Sequence, residues 1–105
     1  MFNKVTSDHE VLALFRDEDF VIEGEVMNSE FYIHCTVDNY SKEIKKRIKH
    51  VFGNVKREVL NQGFNRVLSY TPNIKFCKVL GEYKHLVSVT DEDGKVYEVI
   101  EWLQD

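Results

Sequence analysis

A single apolar stripe over residues 41–62 constrains this chain more than any other feature. Six side chains recur at helical spacing and share one face of a predicted helix: Ile44, Ile48, Val51, Phe52, Val55 and Val59. A stripe of this kind has to be buried against another element. Gly53 stands off the stripe, which stays in phase across it, and Gly63 is suited to end a helix. We therefore expect one long helix that packs on a sheet.

The segments around this helix have the composition and alternation of β-strands. Residues 20–27 and 31–37 predict one antiparallel hairpin, and residues 84–90 and 95–103 predict a second. Residues 65–70 predict a strand between the helix and the second hairpin, followed by a short helix over residues 73–80. A capping box, Ser7 to Glu10, predicts another short helix over residues 7–16. The predicted order is α-β-β-α-β-α-β-β, an α/β (α+β) domain with a mixed central sheet and a long crossover helix.

The length of 105 residues allows one domain. We expect it to span residues 1–105, with an N-terminal helical segment (1–18) and a sheet-and-helix core (19–105).

No apolar run approaches ~18 residues, so we expect no membrane span. The N-terminus lacks the pattern of a secretory signal, and two cysteines without a framework fit a reducing compartment. The chain is therefore predicted to be cytoplasmic, and the spacing of its histidines and cysteines predicts no metal site.

The net charge of -4 conceals a basic middle between two acidic ends. Residues 39–81 carry ten basic and two acidic side chains, whereas residues 1–38 carry two basic and nine acidic ones. A chain of this kind can neutralise itself when it folds. It can also present one basic and one acidic face to a partner, which steers association.

The long helix carries most of the basic charge. Six side chains are predicted to lie away from its apolar stripe: Lys42, Lys45, Lys46, Lys49, Lys56 and Arg57. Like charges four residues apart each cost about 0.2–0.5 kcal/mol. A bound anion would remove that cost, whether it is an acidic protein surface, nucleic-acid phosphate or coenzyme phosphate. The alternative is a solvated face over acidic strands. A homodimer contact also stays open, through Tyr97 or Trp102 on the closing strand.

From about residue 19 onward, the order of elements resembles the C-terminal two-thirds of the GNAT (N-acetyltransferase) fold. The passage that carries the resemblance is Asn73-Ile74-Lys75-Phe76-Cys77-Lys78-Val79-Leu80-Gly81, and it is similar to a passage in small phage proteins of this fold. The resemblance implies an acetyl-CoA site formed by Ser41, Lys42 and Asn73. It also implies a proton acceptor on the sheet, for which His34 and Glu25 are candidates, although a structural role for His34 is the simpler interpretation.

Two positions depart from the GNAT pattern. The loop of residues 38–43, which would hold the diphosphate of the coenzyme, contains no glycine. The position of a frequent tyrosine acid on the fourth GNAT helix falls near Lys78 or Val79. The leading prediction is therefore an N-terminally truncated, phage-encoded GNAT-like domain without catalysis or cofactor, which binds a protein partner through its charged faces in the host cytoplasm. The alternative is an acetyl-CoA-dependent N-acetyltransferase, and binding of nucleic acid by the basic helix ranks third.

Overall fold

The computed structural model describes residues 9–103, which form one mixed six-stranded sheet with helices against it. The sheet has the order β1-β2-β3-β4-β6-β5. Only the β3–β4 pair is parallel, and the other neighbours are antiparallel. The elements in chain order are β1 (His9–Arg16), β2 (Phe20–Met27), β3 (Glu30–Val37), α1 (Lys42–Asn61), β4 (Val67–Thr71), a 3₁₀ turn (Ile74–Phe76), α2 (Cys77–Leu80), β5 (Tyr83–Thr90) and β6 (Val96–Trp102).

Helix α1 has the boundaries that its sequence predicts. The Ser41 hydroxyl accepts a hydrogen bond from the backbone N–H of Ile44 at 3.2 Å, which caps the first turn. The helix runs without interruption through Gly53, and it ends before Gly63, whose φ of 102° is left-handed. The predicted stripe faces inward, and four of its members are buried: Ile48, Phe52, Val55 and Val59. The prediction of one long helix is confirmed.

The hydrophobic core lies between α1 and one face of the sheet. Alternate residues of the central strands point to this face, as in Phe31 of β3, Val67 of β4 and Ile100 of β6. Trp102 closes the far end, where its ring packs edge-on against Phe52 with centroids 4.8 Å apart. The other face of the sheet carries Glu25, Tyr32 and Tyr70, and it faces away from both helices. Neither helix in the described part of the chain has the length and apolarity needed to cross a membrane.

The predicted N-terminal helix over residues 7–16 is wrong. Residues 9–16 form the strand β1, which pairs antiparallel with β2, while residues 7 and 8 lie outside the described part. Val11 and Ala13 are exposed, whereas Leu12 and Leu14 are half-buried, so this segment alternates with the period of a strand. The free edge of β2 supplies backbone partners for the whole segment, and this pairing overrides a local capping motif. The described order therefore starts β-β-β.

The remaining elements were predicted with small errors in their boundaries. Both antiparallel hairpins and the parallel strand after α1 are confirmed, although β4 begins at Val67 rather than at residue 65. The short helix predicted over residues 73–80 is divided into a 3₁₀ turn and the single turn of α2. The six-stranded mixed sheet with its crossover helix is the GNAT-like arrangement that the order of elements implied.

Gly24 allows the core to pack closely at the centre of β2. A β-carbon built at this position would lie 2.6 Å from Cζ of Phe31 and 3.0 Å from Cδ1 of Leu14. Phe31 is completely buried, so its ring has little freedom to move aside. The close approach that a glycine in a strand suggests is therefore present, and β1 has a bulge between Ala13 and Phe15 beside it.

We expect Gly24→Ala to lower the free energy of unfolding by about 1–3 kcal/mol, because the added methyl group overpacks the core. Gly53→Ala is the matched control, since its nearest neighbour is the Arg57 side chain at 3.8 Å and its helical backbone favours alanine. That variant should gain about 0.5–1 kcal/mol. Urea denaturation of both variants measures the difference, and equal effects of the same sign would contradict the packing argument.

Candidate functional site

The candidate site lies where the two parallel strands separate. Strands β3 and β4 pair only at Phe31–Val67 and Tyr32–Leu68, and beyond these pairs they diverge. A cavity of about 200 Å³ opens there, between residues 33–35 of β3, residues 69–71 of β4 and the segment around Phe76. A cleft of this kind leaves strand backbone groups without their usual partners, and such groups need other hydrogen bonds.

Ser69 supplies one of these hydrogen bonds across the cleft. Its hydroxyl donates to the carbonyl oxygen of Ile33 on β3 and accepts from Nε1 of Trp102 on β6 at 2.8 Å. Ser69 and Trp102 are both buried. The serine therefore links three strands at the point where the ladder between β3 and β4 stops.

A carboxylate, an imidazole and a phenol meet beside this cleft. Oε1 of Glu25 accepts a hydrogen bond from the hydroxyl of Tyr70 at 2.6 Å and lies 3.0 Å from Nε2 of His34. The rings of His34 and Tyr70 are in edge contact, with centroids 4.5 Å apart. Glu25 is buried. The structure thus brings together both predicted proton acceptors, His34 and Glu25, and adds Tyr70, whose role the sequence did not indicate.

Burial raises the pKa values of a tyrosine and two cysteines in and around the cleft. Desolvation raises the pKa of Tyr70, and its hydrogen bond to Glu25 raises it further, so the phenol stays a donor at neutral pH. Burial also raises the pKa of Cys35 and that of Cys77 to about 11 each. Both thiols are therefore protonated and weakly nucleophilic. Among residues 9–103, no group of three or more acidic, histidine or cysteine side chains is arranged to hold a metal ion.

Two amides of the loop before α1 are bonded within the fold. The backbone N–H groups of Asp38 and Asn39 donate to the carbonyl oxygen of Asp19, at 2.8 Å and 3.2 Å. The ring of Tyr40, in the same loop, contacts Phe76 of the 3₁₀ turn, with centroids 6.3 Å apart. A diphosphate needs several free amides in one concave loop. In this structure the amides of Asp38 and Asn39 are therefore not available to a diphosphate.

Two of the three residues expected to hold acetyl-CoA form hydrogen bonds that cap helical turns. The Ser41 hydroxyl caps α1, and the side-chain oxygen of Asn73 accepts from the backbone N–H of Lys75 at 3.2 Å, which caps the 3₁₀ turn. Lys42 is exposed on the first turn of α1. Two of the three therefore have a structural role that explains their residue types without a ligand.

The basic residues of α1 divide into two groups. One group is made of four lysines that are exposed and have no acidic partner among residues 9–103: Lys42, Lys45, Lys46 and Lys49. We call these four the lysine face. Lys56 instead lies over the rings of Phe52 and Trp102, at 5.7 Å and 5.5 Å from their centroids. Arg57 donates a hydrogen bond to Asn54.

Arg47, unlike the lysine face, forms ion pairs with acidic residues of the fold. Its guanidinium pairs with Asp17 and, at 3.2 Å, with Asp19 in the turn between β1 and β2. It also stands over the ring of Phe20, 5.1 Å from the centroid. The acidic N-terminal part of the chain thus neutralises Arg47, and the lysine face stays outside this contact.

Comparison with known proteins yields a fold and no family. No known family and no curated protein matches the chain. Among solved structures, the chain is similar to the crystal structure of aminoglycoside 6'-acetyltransferase type Ii, with a TM-score of 0.62 and 14% sequence identity. The match covers 90% of this chain and 68% of that one. At this identity the likeness shows the fold alone, and it confirms the GNAT-like fold that the order of elements predicted.

Replacing the buried carboxylate tests how the cluster is held. Glu25→Ala leaves the Tyr70 hydroxyl and the His34 ring without their acceptor, and we expect it to cost about 1–3 kcal/mol of stability. It should also lower the pKa of Tyr70. Glu23→Ala is the control, because Glu23 lies two residues earlier on the same face of β2 and its side chain makes no hydrogen bond within residues 9–103. Urea denaturation and ultraviolet titration of the tyrosines measure both effects, and equal results for the two variants would contradict the assignment.

Proposed function

We propose that this chain is a GNAT-fold domain that binds an acidic protein surface through the lysine face and does not transfer acetyl groups. The observation that carries the proposal is the lack of any acidic partner for Lys42, Lys45, Lys46 and Lys49 within residues 9–103. The phage source and the host cytoplasm belong to the same proposal, and they rest on the resemblance of residues 73–81 to small phage proteins.

The energetics of α1 favour an anionic partner. Lys42 with Lys46, and Lys45 with Lys49, are like charges four residues apart, and each pair costs about 0.2–0.5 kcal/mol. Lys42 also lies in the first turn, where a cation opposes the helix dipole. An acidic surface docked on this face would remove both penalties and would speed the encounter by electrostatic attraction.

The loop of residues 38–43 supports the non-enzymatic part of the proposal. It has no glycine, and two of its amides are bonded to Asp19. A coenzyme diphosphate bound by these two amides would require a rearrangement that breaks both hydrogen bonds. The lysines themselves could still attract phosphate, but a protein surface requires no such rearrangement.

A second candidate is N-acetyl transfer, and the cluster beside the cleft favours it. His34 with a carboxylate behind it is an arrangement that serves general bases, and Tyr70 is a protonated donor next to it. The fold match to an acetyltransferase supports this second candidate function, but proteins that share a fold can differ in activity. The same three residues also satisfy one another as a structural network.

A charge-reversal variant tests the lysine face. Lys45→Glu, Lys46→Glu and Lys49→Glu together should weaken binding of an acidic partner by about tenfold or more, because attraction becomes repulsion. The matched control carries the same charge change at three exposed lysines off α1: Lys75, Lys78 and Lys84. Partners retained from host-cell lysate by the unmodified protein are identified, and the affinity of each purified partner for the three proteins is then measured by calorimetry.

The proposal requires that the control binds almost as well as the unmodified protein and that only the α1 variant loses affinity. Equal affinity of all three proteins for the partner would contradict it. Retention of nucleic acid instead of protein, with an affinity that falls steeply with salt, would replace it with the third prediction.

A further inference from the structure

The sheet face opposite the helices has an aromatic groove. In the part of the chain that the structure describes, α1 and α2 both pack on the other face. The groove has a volume of about 280 Å³, near the lower limit for pockets that hold small ligands. Its lining is made of Met27, Tyr32, Tyr70, Tyr97, Val89 and Val99, which come from five strands.

Three tyrosines form adjoining walls of this groove. The rings of Tyr32 and Tyr70 have centroids 5.5 Å apart and planes at 69°. The rings of Tyr70 and Tyr97 have centroids 5.9 Å apart and planes at 79°. Nearly perpendicular neighbouring rings can direct more than one π-face, which is electron-rich, toward the same groove. All three rings are half-buried, so water covers them only in part.

Carboxylates add negative potential behind the rings. Glu25 accepts the hydrogen bond from Tyr70, and Glu30 lies close to Tyr32. Burial raises the pKa of Tyr32, and Glu30 raises it further against an opposing effect of Arg66. The guanidinium of Arg66 is shared between Glu30 at 2.9 Å and Glu101 at 3.6 Å. Because two carboxylates share the single positive charge of Arg66, this side of the groove has a net negative charge.

The protein already places an alkylammonium on one of these rings. Nζ of Lys95 lies 5.5 Å from the centroid of Tyr97. This distance is within the range of cation–π attraction. Lys95 lies one residue before β6, and its ammonium reaches the ring of Tyr97. The ring at the edge of the groove is thus positioned to attract a cation.

We propose that this groove binds a quaternary ammonium group. A primary ammonium carries three N–H donors and needs acceptors for them. Oε1 of Glu25 already receives Tyr70 and lies in hydrogen-bond range of His34, and the side chains that line the groove offer only the three phenol oxygens as further acceptors. A trimethylated nitrogen has no N–H donor that needs an acceptor. Because it is weakly hydrated, it loses less hydration than a primary ammonium when it contacts the ring faces. This inference does not depend on the lysine face.

The experiment compares choline with 3,3-dimethylbutan-1-ol, which has the same shape without the charge. Both are titrated into the whole chain, and the tyrosine ring signals and affinities are followed by NMR. We expect choline to bind about tenfold more tightly, with shifts at Tyr32, Tyr70 and Tyr97. Equal affinity would show a merely apolar groove and overturn the proposal, as would the absence of choline binding.

Variants at the edge of the groove distinguish the effect of an aromatic ring from the effect of an apolar side chain. Tyr97→Phe keeps the π-face and should bind choline almost as well as the unmodified protein, whereas Tyr97→Leu should lose about tenfold. Lys95→Ala removes the competing ammonium and should tighten binding. Thermal denaturation establishes that each variant is folded. Equal losses in the phenylalanine and leucine variants would contradict a cation–π site.

A further binding experiment with peptides tests whether the quaternary group belongs to a modified protein or to a small molecule. A peptide with one trimethyllysine is compared with the same peptide carrying unmodified lysine, and both are compared with choline. Tighter binding of the trimethyllysine peptide than of choline supports a modified protein as the ligand, and the reverse supports a small molecule. Preference for unmodified lysine over trimethyllysine would overturn the proposal.

Discussion

The carbonyl oxygen of Asp19 holds the loop on which the functional interpretation depends. It accepts hydrogen bonds from the amides of Asp38 and Asn39, so the end of β3 is fixed to the start of β2. The Asp19 carboxylate meanwhile pairs with Arg47 of α1, together with Asp17. One turn thus joins two strands and the long helix. These two amides belong to the loop of residues 38–43, and their hydrogen bonds are one of the observations behind the proposal of a binding domain.

The two faces of the sheet have different chemistry because both helices pack on one side. Helix α1 buries its apolar stripe and turns the lysine face to solvent. The other face, within residues 9–103, keeps three tyrosines and the Glu25 carboxylate at its surface. The proposed protein-binding surface and the proposed cation groove therefore lie on opposite sides of the domain, and Tyr70 connects the groove to the cleft between β3 and β4. Each surface can be altered by substitution without touching the other.

Strong periodicity made most of the fold predictable. The stripe of α1 and the alternation in β2 and β3 are local signals, and both were assigned correctly. The hairpin was also predicted, and in its observed register His34 lies opposite Glu23 and diagonally from Glu25. The strand β1 was missed because the capping motif lies within residues 7–10, whereas the pairing with β2 extends along residues 9–16. The role of Tyr70 could not be predicted, since its contact with Glu25 spans 45 residues and requires the parallel β3–β4 pair. Nor does a helical pattern reveal that Lys56 covers Trp102.

Backbone amide NMR of residues 38–43 tests the central claim most directly. With the amides of Asp38 and Asn39 committed to Asp19, we expect both to exchange slowly with solvent. We also expect the amide signals from this loop to stay in place when coenzyme A is added to millimolar concentration. Saturable shifts of these signals with coenzyme A, together with faster exchange at Asp38 and Asn39, would contradict the account and restore the acetyltransferase.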